Sequence, residues 1–505
     1  MNGTAMHEGP EADATTAALR KLGSVLAVLA GFGLLSYALP VSKRLRPWMS
    51  GEGVPIVRMF RDAAEAVPGF AEAATQSNAD VAGQTESAPG GKGAGPERPS
   101  VERGAPSGPK AAGARAHIDE TEYEGVKQAI EHPEALANFF AQLARTAAQE
   151  PGAKSRIAHY GDSAVAADAI SSTARRRLQQ RFGDAGHGFV LVAHGEMHYI
   201  HKDVAYRSGG DWNIYSIVEN PLRPGLYGYG GIQTRAESGA RAHVATVREG
   251  ELGRSVSRFE LFYQRYRGGG TIEIRLDGKK HSTLKTNANE TEDAWEAFDL
   301  PDGPHSFSLT AIGAVRVYGV SLEREGPGVV YDSLGLVGAR AERLLNAEPE
   351  HMHRQIAHRD PDLLVLGFGG NETDNPWINV TQYEQRLVEV VRLMRAAKPQ
   401  MSCLLLGPLD QAERNQRGQI VTIKALPKIV EAQRRVAEQQ GCAFFDTFAA
   451  MGGPGSMAAW LRNRPRLATS DLHHATDAGY ALIGTMYYKA LLKAFADYLT
   501  ARGGT

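Results

Sequence analysis

The sequence predicts an α/β protein. A parallel sheet flanked by helices is interrupted by an inserted antiparallel β-sandwich or jelly roll and preceded by an N-terminal transmembrane helix. Three observations carry this. Short apolar runs alternate with helical patterns over residues 118–201 and again over 326–505, as in a parallel sheet covered on both faces. Between them, 202–325 switches to period-two alternation with a turn signal every eight to twelve residues or so. Residues 22–41 are almost wholly apolar and uncharged, which is long enough for a helix to span a bilayer.

The totals bound the function. At 505 residues the chain exceeds one ordinary domain. Lys+Arg 56 against Asp+Glu 57, a net charge of -1, gives no global field for nucleic acid. There are two cysteines, Cys403 and Cys442, so this is no disulfide scaffold, and Cys-x-x-Cys spacing is absent. Each opens a short apolar run, and the sequence leaves open whether they are two buried thiols or one bridge.

Residues 1–21 form a short N-terminal tail. The apolar stretch 22–41 is flanked by Arg20 and Lys21 on one side and Lys43, Arg44 and Arg46 on the other. It is longer than a usual signal-peptide core, and no small-x-small cleavage site follows, which favours an uncleaved anchor. The simpler arrangement keeps the short tail inside and places the large C-terminal part on the extracytoplasmic side. Residues 42–117 are a juxtamembrane segment running into a linker. From Gln76 to His117, Val81 and Val101 are the only aliphatic side chains larger than alanine. Such a segment cannot offset its ordering entropy and reads as a flexible tether.

In the first α/β segment, 118–201, Leu136, Phe139, Phe140 and Leu143 have helical spacing. The run Ile157-Ala158-His159-Tyr160 is a strand that turns at Gly161-Asp162-Ser163 into a helix expected from about Ala164 to Phe182. The triplet Arg175-Arg176-Arg177 reads as a solvated helix face. In the insert, 202–325, Trp212, Tyr215, Tyr227, Tyr229, Tyr263 and Tyr266 could stack on sugar rings, but sandwich aromatics are more often core. In the second α/β segment, 326–505, the strand Val329-Val330-Tyr331 leads to Gly338, with a helix expected from Arg340. Leu363–Phe368 is a buried strand ending at Gly369-Gly370-Asn371-Glu372. Helices are expected near 382–397, 429–440 and 478–499, with strands opening at Cys403 and Cys442.

Ligands of parallel α/β sheets bind beyond the carboxyl ends of the strands. Ser163, Gly338 and Asn371 all stand at such ends. A serine at a helix start faces orphan N–H groups and the positive end of the helix dipole, although serine there is also a common N-cap. Asp471-Leu472-His473-His474 supplies a base: a carboxylate three residues before an imidazole can fix its tautomer. The spacing favours His474 over His473, and Gly338 over Gly335 as an oxyanion donor. Asn371-Glu372-Thr373 also matches a glycosylation acceptor. His194, His198 and His201 are spaced four and three apart, and His351 and His353 lie close together. Without His-Glu-x-x-His they read as solvated or hydrogen-bonded histidines, so no metal or cofactor is expected.

Taken in order, Gly161-Asp162-Ser163, Gly338, Gly369-x-Asn371 and Asp471-x-x-His474 resemble the four blocks of the SGNH (GDSL-type) hydrolases, over about 120–200 and 326–500. His473 departs from the pattern, standing where the family usually has an apolar residue. The placement of the β insert resembles that of the carbohydrate-binding-like jelly roll of the SGNH peptidoglycan O-acetylesterases. The resemblance implies a three-layer, flavodoxin-like fold. It implies Ser163 as nucleophile, His474 as general base and then acid, and Asp471 as its orienting carboxylate. The Ser163 and Gly338 N–H groups and the Asn371 amide would form the oxyanion hole, and the reaction would pass through an acyl-enzyme. The expectation is a membrane-anchored serine esterase that removes O-acetyl groups from a cell-envelope or extracellular glycan such as peptidoglycan. Its expected partners are that glycan and, through 22–41, the membrane, with no nucleic acid. An O-acetyltransferase using the same triad and a non-catalytic surface glycan-binding protein are the alternatives.

Overall fold

Strand by strand, the computed structural model describes residues 117–193, 199–219, 221–375 and 377–503. The expected tail, the anchor at 22–41 and all but the last residue of 42–117 lie outside the described residues, as do His194 and His198. Among the described residues no helix is long and apolar enough to cross a membrane.

The first segment runs through α1 (Ala137–Ala147), β1 (Lys154–Gly161), α2 (Ser163–Ala166), α3 (Ile170–Phe182) and β2 (Gly188–Val190). Phe139, Phe140 and Leu143 of α1 are buried, as their spacing requires. The single helix expected from Ala164 to Phe182 is instead two. Asp168 adopts a positive φ of 45° between them, and its buried carboxylate accepts from Ser171, Arg175 and the Lys202 N–H. That pairing also corrects the reading of the arginine triplet. Arg175 is fully buried on Asp168 and Asp203, and Arg176 pairs with Asp203 as well; Arg177 alone is exposed.

The β-rich block holds β3 (Val204–Gly209), β4 (Trp212–Ser216), β5 (Ile232–Ala236), β6 (Arg241–Thr246) and β7 (Val256–Arg265). It continues with β8 (Thr271–Leu276), β9 (Lys279–Lys285), β10 (Glu292–Gly303), β11 (Ser306–Ile312) and β12 (Val315–Glu323). These form two antiparallel sheets, β10-β7-β12-β5-β4 and β3-β6-β11-β8-β9, which share one core including Phe259, Leu261, Ile272, Ile274, Phe307 and Leu309. The apolar run at Phe189 joins this block: β2 pairs antiparallel with β12. Tyr227, Tyr229 and Tyr263 are buried, whereas Trp212, Tyr215 and Tyr266 are half-buried.

The chain then returns through β13 (Gly328–Gly335), α4 (Pro349–Arg359), β14 (Leu363–Gly367), α5 (Val380–Ala396) and β15 (Ser402–Leu406). After the small hairpin of β16 (Ala412–Arg414) and β17 (Ile420–Thr422) come α6 (Leu426–Gln440) and β18 (Ala443–Phe445). The last helices are α7 (Thr447–Met451), α8 (Ser456–Arg462) and α9 (Asp477–Ala501). The helix expected from Arg340 is a 3-10 turn, Ala341–Asn346, ahead of α4.

Strands β13-β1-β14-β15-β18 form one parallel sheet. In chain order this is 2-1-3-4-5, whose topological switch point, where ligands bind, lies between β1 and β14. Side chains alternate between its two faces. Ile157, Leu363, Val365 and Phe445 join α1, α3 and α9 in one core, while Tyr160, Leu364, Leu366 and Phe444 join α4, α5 and α6 in the other. Phe189, Tyr227, Tyr229, Phe262 and Tyr318 of the β-rich block belong to that second core, so the block is packed onto the sheet and not strung from it. Cys403 and Cys442 are bonded to each other and fully buried, which resolves the alternative left open by the sequence.

Candidate active site

β1 is the strand next to the switch point, and it ends at Gly161 because a side chain there would meet Val165 and the Gly367 carbonyl. Asp162 then caps α2, with Oδ1 accepting from the Ala164 N–H at 3.1 Å. Ser163 is therefore the first helical residue and not the cap, which removes the purely structural explanation for its hydroxyl. Burial pushes the Asp162 carboxyl up to about 6, against the Ala164 hydrogen bond and the neighbouring His474, which act to lower it.

The loop before α9 brings an imidazole to Ser163. Leu472 takes a left-handed φ of 67° with its side chain buried, and so acts as an inward anchor in the middle of Asp471-Leu472-His473-His474. Thr469 Oγ donates to Asp471 Oδ1 at 2.6 Å, and the His473 and His474 N–H groups donate to the same oxygen at 2.9 and 3.1 Å. Asp471 Oδ2 accepts from His474 Nδ1–H at 2.8 Å. Partial burial alone would raise the Asp471 carboxyl, but these donors outweigh it and hold it well below the usual carboxylate range. With its proton held on Nδ1, His474 presents the Nε2 lone pair, and Ser163 Oγ lies 3.2 Å from it. His473 contributes its backbone N–H to the loop.

Two further turns border Ser163. Gly335 packs against α2 so closely that a Cβ there would lie 2.0 Å from the Ala166 nitrogen, and the Leu336 N–H bonds the Gly161 carbonyl at 3.0 Å. Gly335 is thus the packing glycine. Gly338, exposed and open to solvent at φ 71°, is the turn glycine. Beyond β14, Asn371–Asp374 forms a 3-10 turn sewn to the Gly338 segment. Asn371 Nδ2 donates to the Ala339 carbonyl at 2.9 Å, Arg340 Nε to the Asn371 carbonyl at 3.1 Å, and the Ala341 N–H to Glu372 Oε1 at 3.1 Å. A primary amide has two N–H donors, so the Asn371 bond leaves one. Glu372 is buried, and burial pushes its carboxyl up to about 7, aided by the charge of Asp162 and opposed by the Ala341 hydrogen bond.

The structure thus joins Ser163, His474 and Asp471 through hydrogen bonds and ties Asn371 to the Gly338 turn. Sequence reasoning missed Thr469, which locks Asp471, and Glu372, which staples the Gly338 segment to the Asn371 turn. Their only sequence signal is adjacency to the motifs. Among the described residues no group of three or more His, Cys, Asp or Glu is arranged to hold a metal ion. His351 is occupied otherwise: its Nδ1 pairs with Asp293 and its Nε2 accepts the Gly228 N–H at 2.8 Å.

Residues 308–482 match the GDSL-like lipase/acylhydrolase family. The match takes in Gly338, Asn371, Asp471 and His474 but stops short of Ser163, which the β-rich block separates from it in sequence. No curated protein matches the chain. A solved peptidoglycan O-acetylesterase superposes with a TM-score of 0.62 at 24% identity, covering 73% of this chain and 99% of that one. A carbohydrate esterase family 2 enzyme with a carbohydrate binding domain from Corynascus thermopiles (Myceliophthora fergusii) matches at 11% identity over 51% of this chain and 94% of that one. Its TM-score of 0.27 is too low to bear on fold or chemistry. The chain is thus similar over 308–482 to the GDSL-like lipase/acylhydrolase family, and it shares its fold with a peptidoglycan O-acetylesterase.

Proposed function

We propose that this esterase removes O-acetyl groups from a cell-envelope or extracellular glycan, with peptidoglycan the first substrate to test. The observation that carries the reading is the continuous hydrogen-bonded chain from Ser163 through His474 to Asp471. Ser163 Oγ attacks the acetyl carbonyl while its proton passes to His474 Nε2. The tetrahedral oxyanion is held by the Ser163 and Gly338 N–H groups and the Asn371 amide, each worth about 3 kcal/mol of barrier. His474 returns the proton to the departing sugar oxygen, leaving acetyl-Ser163. Water, deprotonated by His474, then attacks acetyl-Ser163, and His474 returns the proton to Ser163 Oγ as acetate leaves. Asp471 stays ionised and stabilises the imidazolium formed in both steps.

About half of each of the His474 and Asp471 side chains is open to solvent, which supports water as the acyl acceptor over a second sugar. The buried Cys403–Cys442 bridge suits an oxidising compartment and so supports an extracytoplasmic location, in keeping with an anchor at 22–41. Incubation with O-acetylated peptidoglycan should release free acetate, with none from material de-O-acetylated by mild base. Acetate recovered on an added sugar acceptor would instead make the protein a transferase. No release from peptidoglycan, alongside turnover of a small acetyl ester, would remove peptidoglycan as the substrate.

A further inference from the structure

Between β15 and β16, consecutive residues hold different parts of the molecule. Asp410 is fully buried: Oδ1 accepts from Thr422 Oγ at 2.9 Å, and Oδ2 from Ser456 Oγ at 3.2 Å and the Met457 N–H at 2.7 Å. That pins the segment to β17 and to the start of α8. Ala412 donates its N–H to the Leu472 carbonyl at 2.9 Å, inside the Asp471–His474 loop. Gln411, between them, is buried, and its side chain reaches the other border of the site, the Asn371 turn.

At that turn the buried Thr373 hydroxyl lies 2.5 Å from Gln411 Oε1 and 2.6 Å from the Gly370 carbonyl, both acceptors for its one proton. The Thr373 N–H bonds the same carbonyl at 3.2 Å. Gly370, the residue before Asn371, shows how closely the parts meet. A Cβ there would lie 3.1 Å from Gln411 Nε2 and 3.2 Å from Asp162 Oδ2, so both side chains stand against its backbone. The main chain of Gln411 is fixed as well, its carbonyl accepting the Ile423 N–H at 2.8 Å.

Buried glutamines ordinarily have their hydrogen bonds filled, so the bond to Thr373 alone says little. Its placement says more. The two residues are 38 positions apart, so the bond closes no local turn. The Asn371 turn is a 3-10 piece of 4 residues, with few bonds of its own to fix the amide. Its position is set by what it is tied to: Ala339 and Ala341 on one side, Gln411 on the other. Through Gln411 and Ala412, that turn and the His474 loop share one short, anchored segment.

We propose that Gln411 is a positioning residue, holding the Gly370–Thr373 turn so that the Asn371 amide and the His474 imidazole address the same acyl group. The proposal rests on the oxyanion reading of Asn371. Gln411 acts through that amide and touches no reacting atom. A donor aimed at a transition state loses its effect when displaced, and a shift of about 1 Å can cost about 10²-fold.

The test is a double-mutant cycle on the full chain with 4-nitrophenyl acetate. Gln411→Met keeps the length of the side chain without the acceptor. It should lower kcat about 10- to 100-fold, with KM within about threefold of wild type. Thr373→Val removes the partner hydroxyl and should do the same, whereas Thr373→Ser keeps it and should stay within about threefold. In an Asn371→Ala background, itself lowered about 10²–10³-fold, Gln411→Met should cost no more than about threefold further. Thr373→Val carries the same cycle if Gln411→Met does not fold. Near wild-type kcat in Gln411→Met or Thr373→Val would overturn the proposal. So would a loss of full size in the Asn371→Ala background, the mark of a merely structural role. Asn371→Ala as active as wild type would overturn the oxyanion reading, and the proposal with it.

Discussion

His474 Nε2 and Ser163 Oγ lie 3.2 Å apart although 311 positions separate them in the chain. The whole β-rich block and four of the five parallel strands fall between them. Ser163 is placed by the end of β1 next to the switch point, and His474 by a loop whose buried, left-handed Leu472 turns the residues on either side outward. The histidine is set by its loop, and Asp471 is the loop's hub.

Asp471→Asn should therefore lower kcat by about 10²–10⁴-fold, because an amide can donate to Nδ1 and impose the wrong tautomer. KM for a small acetyl ester should change little. A loss in KM alone would mean that Asp471 only shapes the loop.

The two adjacent histidines should separate cleanly. His474→Ala removes the group at Ser163 and should cost at least about 10³-fold in kcat. His473 gives the loop only its backbone N–H, which alanine retains, so His473→Ala should stay within about threefold. The reverse order in steady-state kinetics would reassign the base.

Glu372 makes stability depend on pH in a definite direction. Its folded-state carboxyl is raised from 4.5 to about 7, so between these values the folded protein holds a proton that the unfolded chain has lost. Stability attributable to this group is highest below about pH 4.5 and falls as pH rises to about 7. Glu372→Gln keeps an acceptor for the Ala341 N–H without the charge. It should gain on the order of 1–3 kcal/mol on wild type between pH 5 and pH 8 in urea unfolding. The same difference at both pH values would show that Glu372 is not protonated on folding.

Gly335 and Gly338 should respond differently to alanine. At Gly335 the new Cβ meets the backbone of Ala166 and Val165, which cannot move without shifting α2 and Ser163 with it. A loss of about 3 kcal/mol in stability and a fall in kcat should follow. At Gly338 there is open space, and only the positive φ is penalised, by about 1 kcal/mol, with the N–H preserved. Thermal midpoints and kcat for the pair would check this, and equal effects would contradict it.

Legibility in the sequence followed the range of the forces involved. The strand–turn–helix at Gly161-Asp162-Ser163 and the Asp471–His474 spacing are local, and so is the helical face of Phe139–Leu143. All could be read from neighbours in the chain. Period two announced the antiparallel sheets. What escaped depends on partners remote in sequence. Phe189 sits in an apolar run whose pattern does not say which sheet it joins, and only its pairing with Ser321 decides. Arg175 looked solvated because its partners Asp168 and Asp203 are brought to it by a helix break and a crossover. The Cys403–Cys442 bond required the adjacency of β15 and β18.

The central claim is that Ser163 carries the acetyl group. Ser163→Ala, checked for an unchanged unfolding transition, should lower acetate release from an acetyl ester by at least about 10⁴-fold. Mass spectrometry of the wild type quenched during turnover should show one added acetyl on the peptide containing Ser163. Activity near wild type in the variant, or an acetyl on any other residue, would contradict the account.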